Sequence, residues 1–111
     1  MSPVPPAFEA FPRRDGVLHT EGVSLERLAA EVGTPSYVYS AGELRARYRA
    51  LDAAFSGRAT LCYALKANMN LAVVRTLVAL GAGADVTSGG ELFRALRAGA
   101  PPARIVYSGV G

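Results

Sequence analysis

The sequence predicts an α/β fold in which short strands alternate with helices around one parallel sheet. After residue 60, three apolar strands (60–64, 84–87 and 104–108) alternate with two helices (70–80 and 89–98) in a βαβαβ order. Strands joined by helices in this way form parallel sheets with right-handed crossovers. A (β/α)8 barrel needs ~250 residues, and a doubly wound domain also needs further strands. We therefore expect the 111 residues to be the first part of a larger domain, truncated after about three strands.

The composition is that of a packed globular domain, with 50% apolar and 19% charged residues. No apolar stretch approaches the ~20 residues of a membrane-spanning helix, and the N-terminus lacks the features of a signal peptide. The net charge of +3 comes from scattered basic residues, which favours solvated surface over a nucleic-acid interface. The single cysteine, Cys62, leaves no intrachain disulfide and no cysteine-based zinc site. We expect a cytoplasmic protein that binds no membrane, nucleic acid or metal.

The N-terminal third divides into a tail and a segment of regular structure. Residues 1–16 contain four of the seven prolines, and because proline removes backbone donors they predict a flexible tail. Residues 17–23 predict a short extended or hairpin segment that turns at Gly22. Ser24 then predicts the N-cap of a short helix that ends at Gly33.

After Gly33 the sequence predicts a strand and a longer helix. Residues 37–39 combine aromatic and β-branched side chains, as strands do. Ser40 and Glu43 have the spacing of a capping box, which opens a helix that Gly57 ends. The apolar residues of this helix lie along one face: Leu44, Tyr48, Leu51 and Phe55.

Lys66 is the candidate catalytic residue. Parallel α/β domains bind their ligands at the C-terminal ends of the strands, and Lys66 follows the first strand there. Strand alternation places Cys62, Ala64 and Lys66 on one face. Lys66 is also the only lysine beside eleven arginines. A lysine in this position can form a Schiff base, which arginine cannot, although an ordinary surface lysine is the alternative.

Two acidic residues near the strand ends are further candidates. Asp85 lies near the end of the second strand. Its carboxylate could orient a lysine amine, or its side chain could form an Asx turn that closes the strand. Glu91 lies three residues after Ser88, and a capping box at the start of the next helix explains this spacing without any chemistry. Asn68 is expected only to stabilise the loop after Lys66.

Four segments together resemble the opening third of the meso-diaminopimelate decarboxylase family. They are YVYS (37–40), CYALKAN (62–68), GAGADVTSGGEL (81–92) and IVYSGVG (105–111). This family belongs to the fold-type III pyridoxal-phosphate enzymes, together with ornithine and arginine decarboxylases and, more distantly, alanine racemase. The segments LHTEGV (18–23) and GTP (33–35) favour the diaminopimelate branch over the ornithine branch.

The resemblance implies a fold, a cofactor and the roles of two residues. Residues 34–111 would form the first part of a pyridoxal-phosphate-binding (β/α)8 TIM-type barrel, and residues 17–33 would join a second, β domain. Lys66 corresponds to the lysine that binds pyridoxal 5'-phosphate covalently and later transfers protons. Asp85 corresponds to an aspartate near the cofactor and that lysine, and Glu91 also matches a position near the site.

The activity implied is decarboxylation of meso-2,6-diaminopimelate to L-lysine and CO2, the last step of lysine biosynthesis. The resemblance further implies a homodimer that acts on a small amino acid, with other site residues beyond Gly111, so this chain alone is expected to be inactive. Two alternatives stay open. One is a decarboxylase of another basic amino acid, such as ornithine or arginine, and the other is a non-catalytic fragment that binds pyridoxal phosphate.

Overall fold

The computed structural model describes residues 9–110, and over this part of the chain it contains six strands and four α-helices. Three strands form a small antiparallel sheet, and the other three form a parallel sheet. The chain divides into two compact units, one running to Ala46 and the other beginning at Arg47.

The first unit contains the antiparallel sheet and a short helix. Its elements are β1 (Arg13–Arg14), β2 (Val17–Thr20), β3 (Val23–Ser24) and α1 (Leu25–Val32). Glu21 and Gly22 form the turn between β2 and β3, both with positive φ. Ser24 Oγ accepts a hydrogen bond from the backbone N–H of Arg27, and α1 ends at Gly33. The predicted hairpin and helix are therefore confirmed.

The prediction of a flexible tail over residues 1–16 is wrong for its last residues, because β1 forms a second hairpin with β2. β1 pairs with β2, and the backbone N–H of His19 donates to the carbonyl of Pro12 at 2.9 Å. Residues 12–16 therefore belong to this hairpin although Pro12 is among them, because proline lacks a backbone donor but keeps its carbonyl acceptor. Residues 1–8 of the expected tail lie outside the described residues.

The predicted strand over residues 37–39 is wrong in this structure. Residues 36–39 have no regular structure, and Tyr37 and Tyr39 are 91% and 54% exposed. A strand needs a neighbour that satisfies its backbone groups, and none of the described strands pairs with this segment. α2 (Ala41–Phe55) begins directly afterwards, and Ser40 Oγ accepts from the backbone N–H of Glu43 at 3.0 Å, as the capping pattern predicts.

Glu21, in the turn between β2 and β3, binds the start of α2. Glu21 Oε1 accepts hydrogen bonds from Ser40 Oγ at 2.9 Å and from the backbone N–H of Gly42. The Gly42 bond first, and then the Ser40 bond, lower the pKa of Glu21. The assignment of residues 17–33 to a second domain stays a prediction.

The second unit contains the parallel sheet, preceded by most of α2. Its elements, in chain order, are β4 (Cys62–Ala64), α3 (Leu71–Val78), β5 (Gly83–Val86), α4 (Gly89–Arg97) and β6 (Ile105–Tyr107). The strands lie in the order β4-β5-β6, and both pairings are parallel. The βαβαβ prediction is confirmed, with each strand end within two residues of its predicted position.

One face of the parallel sheet packs against helices and forms the core. Tyr63, Ala84 and Ile105 lie on this face, and the cluster includes residues from both helices that are 0% exposed, namely Val74 and Ala95. Strand alternation places the other set on the opposite face: Cys62, Ala64, Gly83, Asp85 and Val106. At Gly83 the backbone of Arg104 approaches so closely that an added Cβ would collide with its carbonyl oxygen and lie 2.8 Å from Cys62 Sγ. Only glycine fits there.

Candidate active site

Lys66 lies just after β4 and not on the strand itself. β4 ends at Ala64, and a single 310 turn over Leu65–Ala67 follows it. Strand alternation therefore applies to Cys62 and Ala64 but not to Lys66, because the extended backbone stops before Lys66, and the face on which the lysine lies stays a prediction. The Lys66 side chain is exposed, and it forms no hydrogen bond with any of residues 9–110. Its amine is free for chemistry within the described chain.

The loop after Lys66 is ordered by asparagine side chains. Asn68 Oδ1 accepts from the backbone N–H of Asn70 at 2.9 Å, and Asn70 Oδ1 accepts from Ala72 N–H at the same distance. The second bond caps α3 at its N-terminus. Asn68 thus stabilises the loop, as expected from the sequence.

Asp85 lies opposite Ala64 of β4 and Val106 of β6, on the sheet face turned away from the helices. Its Oδ1 is buried and has no hydrogen-bond partner among the described residues. A buried acceptor without a partner costs free energy, so a hydrogen-bond donor placed beside this oxygen would stabilise the site.

The hydrogen bonding of Thr87 argues against a turn role for Asp85. An Asx turn at Asp85 would use the backbone N–H two residues later, which belongs to Thr87. That N–H donates to Glu91 Oε1 at 3.3 Å instead. The Asx-turn alternative therefore has no support in the structure.

Glu91 is a buried carboxylate, 5% exposed, that ties the loop after β5 to α4. It accepts from Thr87 Oγ1 at 2.7 Å and from Ser88 Oγ at 3.1 Å, and Ser88 Oγ in turn accepts from the Glu91 N–H at 3.2 Å. These bonds lower the pKa of Glu91, the Thr87 hydroxyl most strongly, against the opposing effects of burial and the Asp85 charge. The Ser88 half of the predicted capping box is confirmed, whereas the Glu91 carboxylate accepts from the backbone N–H of Thr87.

Two side chains bind the backbone just after the Lys66 turn, and the sequence does not predict either contact. Tyr63 Oη donates to the Asn68 carbonyl at 2.9 Å, and Arg94 Nη1 donates to the Met69 carbonyl at 3.3 Å. Strand alternation indicates that Tyr63 faces the helices, but no sequence pattern reveals a bond to a backbone carbonyl.

The fold and the position of these residues define a class: parallel β/α domains with a site at the C-terminal ends of the strands. Residues 41–111 match the family model described as pyridoxal-dependent decarboxylase, pyridoxal binding domain. The chain belongs to this family of pyridoxal-dependent decarboxylases. The predicted α/β fold class and cofactor, pyridoxal phosphate, are confirmed by this membership.

Several diaminopimelate decarboxylases are similar to this chain in sequence or in structure. The chain is 56% identical over 98 residues to the one from Aquifex aeolicus, covering 88% of this chain and 23% of the relative. It is 51% identical over 105 residues to that of Pseudomonas aeruginosa, covering 94% and 25%. The structure of the M. jannaschii enzyme in complex with L-lysine matches with a TM-score of 0.83 at 38% identity, covering 89% and 24%. The chain thus spans about a quarter of the length of these relatives.

The residues present fit pyridoxal phosphate. An aldehyde cofactor needs a primary amine, and Lys66 is the only lysine in the chain. The unpaired Asp85 oxygen needs a donor, and a protonated lysine amine is one. Both residues belong to the same end of the sheet, because β4 and β5 are parallel and Ala64 pairs with Asp85. Within residues 9–110, no cluster of metal-ligating side chains forms and no helix is suited to span a bilayer.

Proposed function

We propose that this chain is the N-terminal part of an enzyme that decarboxylates meso-2,6-diaminopimelate to L-lysine and CO2, the last step of lysine biosynthesis. The main support is the position of Lys66, the single lysine, directly after β4 in a pyridoxal-binding domain. The names of the relatives support the substrate.

Pyridoxal phosphate supplies an electron sink for the bond that breaks between the substrate carbon and its carboxylate. In the proposed site, Lys66 would hold the cofactor through Nζ. As a free amine, Nζ could hold a proton and deliver it to the substrate carbon.

The carboxylate of Asp85 acts on the Lys66 amine. A hydrogen bond from Nζ to Asp85 Oδ1 would orient the amine. This contact would also satisfy the buried oxygen that has no partner among the described residues.

We further propose that the enzyme is a cytoplasmic homodimer. The resemblance to the family implies that a partner subunit contributes to the site. Cys62 is a free cysteine, which is compatible with the reducing conditions of the cytosol.

A substrate comparison on the purified full-length protein tests the proposed function. With pyridoxal phosphate present, we expect CO2 release and L-lysine formation from meso-diaminopimelate, and little CO2 from L-ornithine or L-arginine. A preference for ornithine or arginine would favour a decarboxylase of another basic amino acid. Cofactor binding without release of CO2 from any of the three would instead indicate a non-catalytic pyridoxal-binding protein.

A further inference from the structure

We propose that Tyr63 is a positioning residue for Lys66, because its hydroxyl bridges the two ends of the turn that contains the lysine. The proposal rests on the proposed function, since it concerns the lysine assigned there. It adds a residue that would act through the backbone of the turn.

The bridge runs from Tyr63 Oη to the carbonyl of Asn68, five residues later, at 2.9 Å. The 310 turn over Leu65–Ala67 lies between these two residues, and Lys66 is its central residue. The hydrogen bond therefore joins β4 directly to the residue after the turn. A bond across so short a segment restricts the backbone conformations that the turn can adopt.

The ring of Tyr63 is itself held in place. It packs against the core cluster on the helix side of the sheet, and its neighbour across the strands, Ala84, is 0% exposed. Leu65, the first residue of the turn, is also 0% exposed. A tyrosine with a packed ring and one polar atom at its end is a rigid support, because few rotamers satisfy both contacts.

The hydrogen bonds around the turn are made to its backbone and not to the lysine side chain. Arg94 of α4 adds a second tether through the Met69 carbonyl at 3.3 Å. Lys66 is exposed and forms no hydrogen bond with any of residues 9–110. A fixed backbone beneath a free amine is the arrangement that a lysine needs in order to meet an aldehyde in one geometry.

The test compares Tyr63→Phe with Tyr48→Phe in the full-length apoenzyme. Both changes remove one hydroxyl from a half-buried tyrosine of the second unit. Tyr48 Oη lies at the other end of the sheet, 3.6 Å from where a Cβ on Gly81 would stand. The first readout is the stopped-flow rate at which the imine absorbance appears on mixing with pyridoxal phosphate. The others are kcat, KM and the melting temperature of each apoenzyme.

For Tyr63→Phe we expect capture of the cofactor and kcat to fall by roughly 10- to 100-fold, because small misplacements of a reacting group reduce rates by such factors. KM should change less than kcat. The melting temperature should stay close to that of Tyr48→Phe, which should capture the cofactor at the wild-type rate. Wild-type capture by Tyr63→Phe, or equal slowing in both variants, would overturn the proposal.

A Lys66→Arg arm separates this inference from the proposed function. If Lys66→Arg still shows the absorbance change, the assignment of Lys66 fails and the role of Tyr63 fails with it. If Lys66→Arg abolishes the change while Tyr63→Phe leaves it unaltered, the assignment of Lys66 survives and the positioning role alone is wrong.

Discussion

At the residue scale, the surroundings of Asp85 favour a chemical role for its carboxylate over a structural one. Its buried Oδ1 has no partner among the described residues, and the backbone N–H that an Asx turn would use is bound to Glu91. A carboxylate in this setting, one strand away from the residues leading to Lys66, is suited to act on an amine.

We predict that Asp85→Asn folds with near-normal stability and turns over more slowly, by roughly 10² if proton transfer is its role. The amide keeps the size and most of the hydrogen-bonding capacity of the carboxylate, but it has no charge to hold a lysine proton. Stopped-flow absorbance of the bound cofactor after substrate addition, beside thermal melting, measures both effects. Unchanged rates together with unchanged melting would return Asp85 to a structural role.

The sequence could predict which residues lie at the strand ends, but not their local geometry. The single lysine and the aspartate at the end of β5 were identified from the sequence, and the structure brings both to the same end of the parallel sheet. Alternation agrees with the burial of Leu65 on the same side as Tyr63, but it does not extend to Lys66, because the backbone turns into a 310 helix over Leu65–Ala67. A period of two describes extended backbone and does not reveal where the strand ends.

At the element scale, Glu91 fastens the start of α4 to the loop after β5. Its three acceptor contacts to Thr87 and Ser88 are charge-assisted, and they lower its pKa. A carboxyl with a lowered pKa in the folded state stabilises the fold above its ordinary pKa. That contribution is lost as the pH falls through the lowered value.

We predict that Glu91→Gln lowers the melting temperature of the full-length protein at pH 7. The difference from wild type should shrink as the pH falls below the ordinary glutamate pKa of about 4.3, because wild-type Glu91 then loses its charge as well. Glu26→Gln is the matched control, since Glu26 also lies in the first turn of a helix but is exposed. A difference that stays constant with pH, or one no larger than that of the control, would contradict this account.

Elements with local signals were predicted well, and elements that depend on a distant partner were not. Ser24, Ser40 and Ser88 each accept the backbone hydrogen bond that their capping pattern predicts. β1 was missed and the strand over 37–39 was wrongly predicted. Strand formation requires a neighbouring strand, and neither proline content nor β propensity says whether one is present.

At the scale of the whole molecule, the parallel sheet has two open edges and uncovered apolar side chains. β4 and β6 each pair with one neighbour among the described strands. α4 exposes 64% of Phe93 and 47% of Leu96, and β6 exposes 57% of Tyr107. Such surfaces and edges favour association with other chains.

We therefore predict that the isolated 111-residue chain aggregates or lacks a cooperative unfolding transition. Size-exclusion chromatography and thermal melting by circular dichroism would measure this directly. A monomer with a single cooperative transition would contradict this prediction, because it would show that the chain is stable with these strand edges and apolar side chains exposed.

If Lys66 binds pyridoxal phosphate, mapping the attachment site on the protein will identify this residue. The full-length holoenzyme is reduced with borohydride, digested and analysed by mass spectrometry, with Lys66→Arg treated in parallel. Because arginine keeps the positive charge but cannot attack an aldehyde, we predict a phosphopyridoxyl group on Lys66 in the wild type and none in the variant, which should also lose decarboxylation. A label on a different residue, or normal turnover by Lys66→Arg, would contradict the account.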